Sequence, residues 1–258
     1  IYSGELTAPQ LKHWLEFPLA GPRYIKEFDN GPDAPKGYSV FRTAKKKIKE
    51  EYKDNVYYYT NEMDNTATNI LKRMEQAARK KGVKVFLLDN LMMIDLECGA
   101  SEIYQKQKWF ILQLKKFCKR FNCVVHLIAH PRKVDEIRRL NKMDVSGSGD
   151  ITNIAEYVMA IHRVLPSEKE DIVNKKGEIV QEGCPFDAII DLFKNRYLGY
   201  QDKVIGLHFD YPSKRFYGDS DKLDKAYRWE KRMQNMDKGD ELELTMEAIQ
   251  EIPGDIPF

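Results

Sequence analysis

The chain has little that would staple it, anchor it or export it. Its 258 residues include only four cysteines, Cys98, Cys118, Cys123 and Cys184, and no CxxC pair. That spacing argues against a zinc cage or disulfide framework and reads as buried thiols in a reducing compartment. No run approaches the roughly 20 apolar residues that span a bilayer, and nothing resembles a signal peptide, so no membrane partner and a cytoplasmic location are expected. There is no internal repeat. There is also no initiator Met: Ile1-Tyr2-Ser3-Gly4 looks like the end of an apolar strand, so the chain is expected to start inside a fold.

What is present suits a folded body. The sequence is 42% hydrophobic, with three Trp, 14 Tyr and 12 Phe, which excludes wholesale disorder and fits one large domain or a domain with an appendage. Net charge is +2, but Gly239 to Phe258 holds six acids and no Lys or Arg, leaving 42 basic against 34 acidic side chains before it. A mildly basic body with an acidic tail points to an anionic partner for the body.

The pattern alternates strands and helices. Thr7 caps a helix that Pro18 and Gly21-Pro22 are expected to end, and Gly31 to Gly37 reads as a loop. Val40 to Tyr52 is lysine-rich and helical, Asn55 to Thr60 a short aromatic strand, and Thr66 to Lys81 a helix. Val83 to Leu88 and Cys123 to Ala129 are largely apolar runs, read as parallel strands buried on both faces. Between them Phe110, Ile111, Leu114, Phe117 and Phe121 recur at helical spacing. Tyr157 to Val164 is a third strand, and Phe186 to Phe193 with Lys203 to Phe209 a late pair. The expected fold is α/β, a mainly parallel sheet flanked by helices with an antiparallel C-terminal edge. The expected domains are 1–218, the core, and 219–258, a charged linker, helical over Asp219 to Lys238, with a flexible acidic tail.

Ligands of open α/β sheets bind beyond the carboxyl ends of the strands. Four polar positions there stand out. Glu5 follows the first apolar segment and can cap a helix or orient a water. Asp89 closes Val-Phe-Leu-Leu, the pattern of a Walker B carboxylate that helps hold Mg²⁺. His130 closes Val-Val-His-Leu-Ile-Ala and leads into Pro-Arg-Lys, with His126 read as an interior or interface residue of the same strand. Lys194 and Arg196 place two cations on one side of a strand end. Downstream of His130, Arg132, Lys133, Arg138, Arg139 and Lys142 precede the Gly-Ser-rich Gly147, Ser148 and Gly149, a combination suited to phosphates.

In order and spacing, Ser3-Gly4-Glu5-Leu6, Leu87-Leu88-Asp89-Asn90, Ala129-His130-Pro131-Arg132-Lys133, the Ser-Gly-Ser-Gly segment up to Asp150-Ile151 and Lys194-Asn195-Arg196 resemble successive motifs of DnaB-like replicative helicases. Phage primase-helicases and mitochondrial Twinkle are the nearest look-alikes, and the resemblance spans Ile1 to Tyr217. It implies a RecA-like core that uses ATP or a dNTP with Mg²⁺ to move 5′ to 3′ on single-stranded DNA, as a homo-hexamer or similar ring. If the source is a phage, the compartment is the bacterial host cytoplasm. The resemblance makes Glu5 the catalytic glutamate, Asp89 the metal-binding carboxylate and His130 the γ-phosphate sensor. Lys194 and Arg196 become a pair inserted into the neighbouring subunit's nucleotide site, and the two basic loops line a DNA channel.

One departure is serious. No G-x-x-x-x-G-K-[ST] occurs in the sequence, where the family has it about 25 residues before the glutamate. Truncation is the expected explanation, with the fragment itself monomeric and poor at ATP binding and hydrolysis. A non-catalytic RecA-like DNA-binding or adaptor module is the alternative, and a recombinase the third reading. Finally, Asp255-Ile256-Pro257-Phe258 resembles the acidic tip of bacterial single-stranded DNA-binding proteins, which implies recruitment of replication proteins through the tail.

Overall fold

The structure is a computed structural model and describes residues 1–60, 62–132, 139–145, 149–174 and 176–231. It divides into two units, Ile1–Asp224 and Lys225–Phe258. Strands in chain order are β1 (Tyr2–Ser3), β2 (Ile25–Phe28), β3 (Gly37–Val40), β4 (Val85–Asp89), β5 (Val124–Leu127), β6 (Tyr157–Arg163), β7 (Ile172–Val173), β8 (Ile179–Gln181), β9 (Ala188–Asn195), β10 (Lys203–Asp210) and β11 (Arg215–Tyr217). Helices are α1 (Ala8–Ala20), α2 (Arg42–Tyr52), α3 (Ala67–Lys81), α4 (Ile103–Phe121) and α5 (Asp150–Ile154).

The core sheet is parallel, in the order β1-β4-β5. The aromatic segment expected as a strand forms none and makes only an isolated bridge to β1, Tyr59 with Tyr2, where the Ser3 amide donates to the Tyr59 carbonyl and the Tyr59 amide to that of Ile1. α3 and α4 cover one face. α3 starts where the Thr66 hydroxyl accepts from the Asn69 amide and ends at Gly82, whose φ of +66° closes the last turn without a Cβ clash. It presents Ala67, Ile70 and Met74, while α4 presents Phe110, Ile111, Leu114 and Phe117, to one buried cluster that includes Phe86 and Leu88 of β4. Phe86 and Phe117 meet edge to face at 5.1 Å between centroids. Each of these large buried side chains contributes about 1.5–3 kcal/mol by leaving water.

The opposite face corrects the expectation of strands buried on both sides. Val85 is 62% and Val124 52% exposed, and His126 is exposed rather than interior, so β4 and β5 alternate. An apolar run therefore did not mean two-sided cover among the described residues.

The second sheet is antiparallel, in the order β11-β10-β9-β6. β9 and β10 are the expected late pair. β6, expected in the parallel sheet, instead pairs antiparallel with β9 from Tyr157↔Asn195 to Arg163↔Ala188. Two hairpins, β2-β3 and β7-β8, were not expected. The fold class stands: a mixed α/β fold with a parallel core sheet and an antiparallel C-terminal sheet.

Local boundaries differ in two places. Pro18 lies inside α1, which ends at Gly21. Its carbonyl accepts from Nε of buried Arg215 at 2.7 Å, tying the helix end to β11. Residues 219–227 hold turns and irregular backbone, not the expected charged helix. Among the described residues no helix is long and apolar enough to cross a membrane.

Candidate functional site

Parallel strands bring distant residues to one edge. The turn after β1 carries Glu5, β4 ends in Asp89, and the segment after β5 carries His130. Ser3, fully buried, sits between them: its hydroxyl lies 3.4 Å from Asp89 Oδ2 and accepts from the amides of Leu6 at 3.1 Å and Glu5 at 3.4 Å. The turn is pinned again by the Gly4 amide on the Asp89 carbonyl at 2.8 Å. A Cβ at Gly4 would lie 2.2 Å from Met93 Cβ, so only glycine allows this approach.

The connection between Glu5 and His130 is made by a residue sequence reasoning did not single out. Asn90, fully buried, donates from Nδ2 to Glu5 Oε1 at 2.6 Å and contacts His130 Nε2 at 2.8 Å, while its Oδ1 accepts from the Met92 amide at 2.9 Å. His130 Nε2 and Glu5 Oε1 are themselves 3.6 Å apart, with both side chains about half exposed. The Asp89–Asn90 peptide is cis. Asn90 was visible only as the polar residue after the strand-ending carboxylate, where a turn-forming Asn is the ordinary reading.

Beside this edge, the Tyr2 hydroxyl donates to the Met93 carbonyl at 3.0 Å. Burial, then Tyr59 and Asp89 nearby, push its pKa up to about 12, so it stays a neutral donor. Asp89 with a serine hydroxyl beside it fits Mg²⁺, which keeps several waters and takes one or two carboxylates plus phosphate oxygens. Among the described residues no group of three or more His, Cys, Asp or Glu could hold a metal by itself.

Lys194 and Arg196 are brought together elsewhere. From the end of β9, Lys194 Nζ donates to the carbonyls of Thr152 and Asn153 at 2.9 and 2.8 Å, and Arg196 Nη2 donates to that of Asn153 at 2.8 Å. Two cations thus cap the C-terminal carbonyls of α5. Glu156 bridges Arg196, at 3.3 Å, to Lys115, at 2.7 Å. Burial, then Arg196 and Lys142, hold the Lys194 amine below its ordinary value.

The basic segments after β5 share one base. Pro131 bridges antiparallel to Val145, and the Arg132 amide donates to the Asp144 carbonyl at 2.6 Å. Asn141 caps the turn carrying Lys142, which is half-buried, whereas Arg132 and Gly149 are exposed. Arg139 does not present a bare charge: its guanidinium makes a two-pronged pair with buried Asp191 of β9, Nε to Oδ2 at 3.1 Å. Lys133, Arg138, Gly147, Ser148 and the tail residues Asp255, Ile256, Pro257 and Phe258 lie outside the described residues. The four cysteines are free thiols.

No family model and no curated protein matches the sequence. Solved structures do match in fold. One of them, an ATPase domain, superposes with a TM-score of 0.57 at 14% identity, over 84% of this chain and 72% of that one. A DnaB-like replicative helicase, whose structure describes its interactions with primase, superposes with a TM-score of 0.58 at 15% identity, over 83% of this chain. This chain spans 50% of that helicase's length. The class that fold and comparisons define is therefore a RecA-type α/β fold, distantly similar to the ATPase domains of DnaB-like replicative helicases.

Proposed function

We propose that this chain is the core of an ATP-driven replicative DNA helicase that couples NTP hydrolysis to 5′-3′ movement on single-stranded DNA. One observation carries the reading: Glu5, Asp89 and His130, far apart in sequence, converge at the carboxyl edge of β1, β4 and β5. Glu5 orients and deprotonates the attacking water, Asp89 holds Mg²⁺, and His130 contacts the γ-phosphate and passes its state to the segment that begins at Pro131. Mg²⁺ held by Asp89 would supply positive charge to offset the negative charge that develops in phosphoryl transfer.

Lys194 and Arg196 act on a neighbouring subunit's nucleotide in a ring, exchanging the α5 carbonyls for phosphate oxygens. Arg132, Lys142 and Gly149, with Lys133, Arg138, Gly147 and Ser148, form the loops that meet DNA phosphates, and the tail from Asp255 to Phe258 recruits replication proteins. The absence of G-x-x-x-x-G-K-[ST] from the sequence favours a second reading, a RecA-like DNA-binding module that does not hydrolyse nucleotide. ATPase assays on the complete gene product separate the two. Single-stranded DNA should stimulate turnover, and Glu5→Gln should abolish it while sparing nucleotide binding; unchanged turnover in that variant excludes this site as the hydrolytic one.

A further inference from the structure

The Asn90 amide has two donor hydrogens and a carbonyl oxygen, and each hydrogen and the oxygen has a partner. Oδ1 is fixed by the Met92 amide at 2.9 Å, which decides which end of the side chain is oxygen. Both Nδ2 hydrogens are then committed, one to Glu5 Oε1 at 2.6 Å and the other toward His130 Nε2 at 2.8 Å. A donor facing Nε2 requires a lone pair there, so the imidazole proton must sit on Nδ1.

We propose that Asn90 is a positioning residue that locks His130 in its Nδ1–H tautomer and aligns it with Glu5, making Nδ1–H the donor His130 offers an incoming phosphate oxygen. The role toward phosphate rests on the function proposed above; the tautomer does not. With Asn90 fully buried and fixed at both ends, the amide holds base and sensor in one register before any ligand arrives. If His130 carried its proton on Nε2, two donors would face each other at 2.8 Å, and the nearest alternative acceptor would be Glu5 Oε1 at 3.6 Å. The same amide thereby keeps the imidazole from pairing directly with the glutamate and withdrawing its basic oxygen from water.

The test is a long-range ¹H–¹⁵N correlation of the His130 ring in the 258-residue chain at about pH 8.5, above the ordinary imidazole range. The expected spectrum shows a protonated Nδ1 and an unprotonated Nε2. Asn90→Asp keeps an acceptor for the Met92 amide but presents oxygen to the ring, and should convert His130 to the Nε2–H form. An Nε2–H tautomer in the unmodified chain, or an unchanged tautomer in folded Asn90→Asp, overturns the proposal. If Asn90→Asp loses its dispersed amide spectrum, the unmodified chain decides alone. Failure of ATPase assays would remove the hydrolytic role and leave this spectrum as it is, so the two failures are distinguishable.

Discussion

Arg139 separates what the sequence suggested from what the fold does with it. Asp191 has a side chain only 10% exposed, and its partner Arg139 is 40% exposed. Removing one member of a fully buried ion pair costs about 3–5 kcal/mol, because the other charge is left without a partner in a poorly solvating site. Exposed pairs are worth about 0–1 kcal/mol. With the carboxylate buried and the guanidinium partly wet, Arg139→Met should cost about 2–3 kcal/mol. In urea, at a slope of about 3 kcal/mol/M for a chain of this size, the midpoint should fall by about 0.7–1 M. Adding Asp191→Leu should restore much of it, since the stranded charge is then gone. Single-stranded DNA affinity measured against salt should keep its slope. The opposite pattern, an unchanged urea midpoint with a slope shallower by about 0.7, would refute the reasoning and return Arg139 to the phosphate contacts.

Three further outcomes follow from other parts of the structure. Phe110, fully buried under β4, should cost about 3–5 kcal/mol as Phe110→Ala in chemical denaturation, and a loss below about 1 kcal/mol would contradict the core described. Cys123, whose thiol is pushed up to about 11 by burial and by Cys118 beside it, should react with a disulfide reagent at pH 8 about a hundredfold slower in the folded chain than in urea. Lys115 beside Glu156, the Leu165 amide on Glu168 and Lys169 beside Asp187 hold these carboxyls below their ordinary 4.5, 4.5 and 3.8. Groups depressed in the folded state stabilise it above their unfolded values and lose that contribution as pH falls through the folded ones. Urea midpoints should therefore hold down to about pH 5 and decline below about 4.5; a rise on acidification would contradict the pairings.

Much of the parallel half was legible because its signals are local. Thr66 and Gly82 bracket α3, the helical spacing of Phe110 to Phe121 reveals α4, and strands ending in Asp89 and just before His130 mark the edge where ligands bind. The partner of β6 was not legible, since the apolar run Tyr157 to Ile161 suits either sheet and only long-range pairing with β9 decides. Nor was one-sided burial, because Val85 and Val124 are as apolar as Phe86 and Leu88. Asn90 escaped for a different reason: its importance lies in three hydrogen bonds, two of them to residues distant in sequence. Arg139 looked like a free cation because Asp191, its partner on β9, is distant in sequence.

In the function proposed above, Glu5, Asp89 and His130 form one hydrolytic site that drives movement along DNA. Unwinding of forked duplexes by the complete gene product, with ATP and Mg²⁺, tests it most directly. Unwinding is expected when a 5′ single-stranded loading tail is present, none with a 3′ tail alone, and none in Glu5→Gln. Unwinding that persists in Glu5→Gln, or that runs from the 3′ tail, would contradict it.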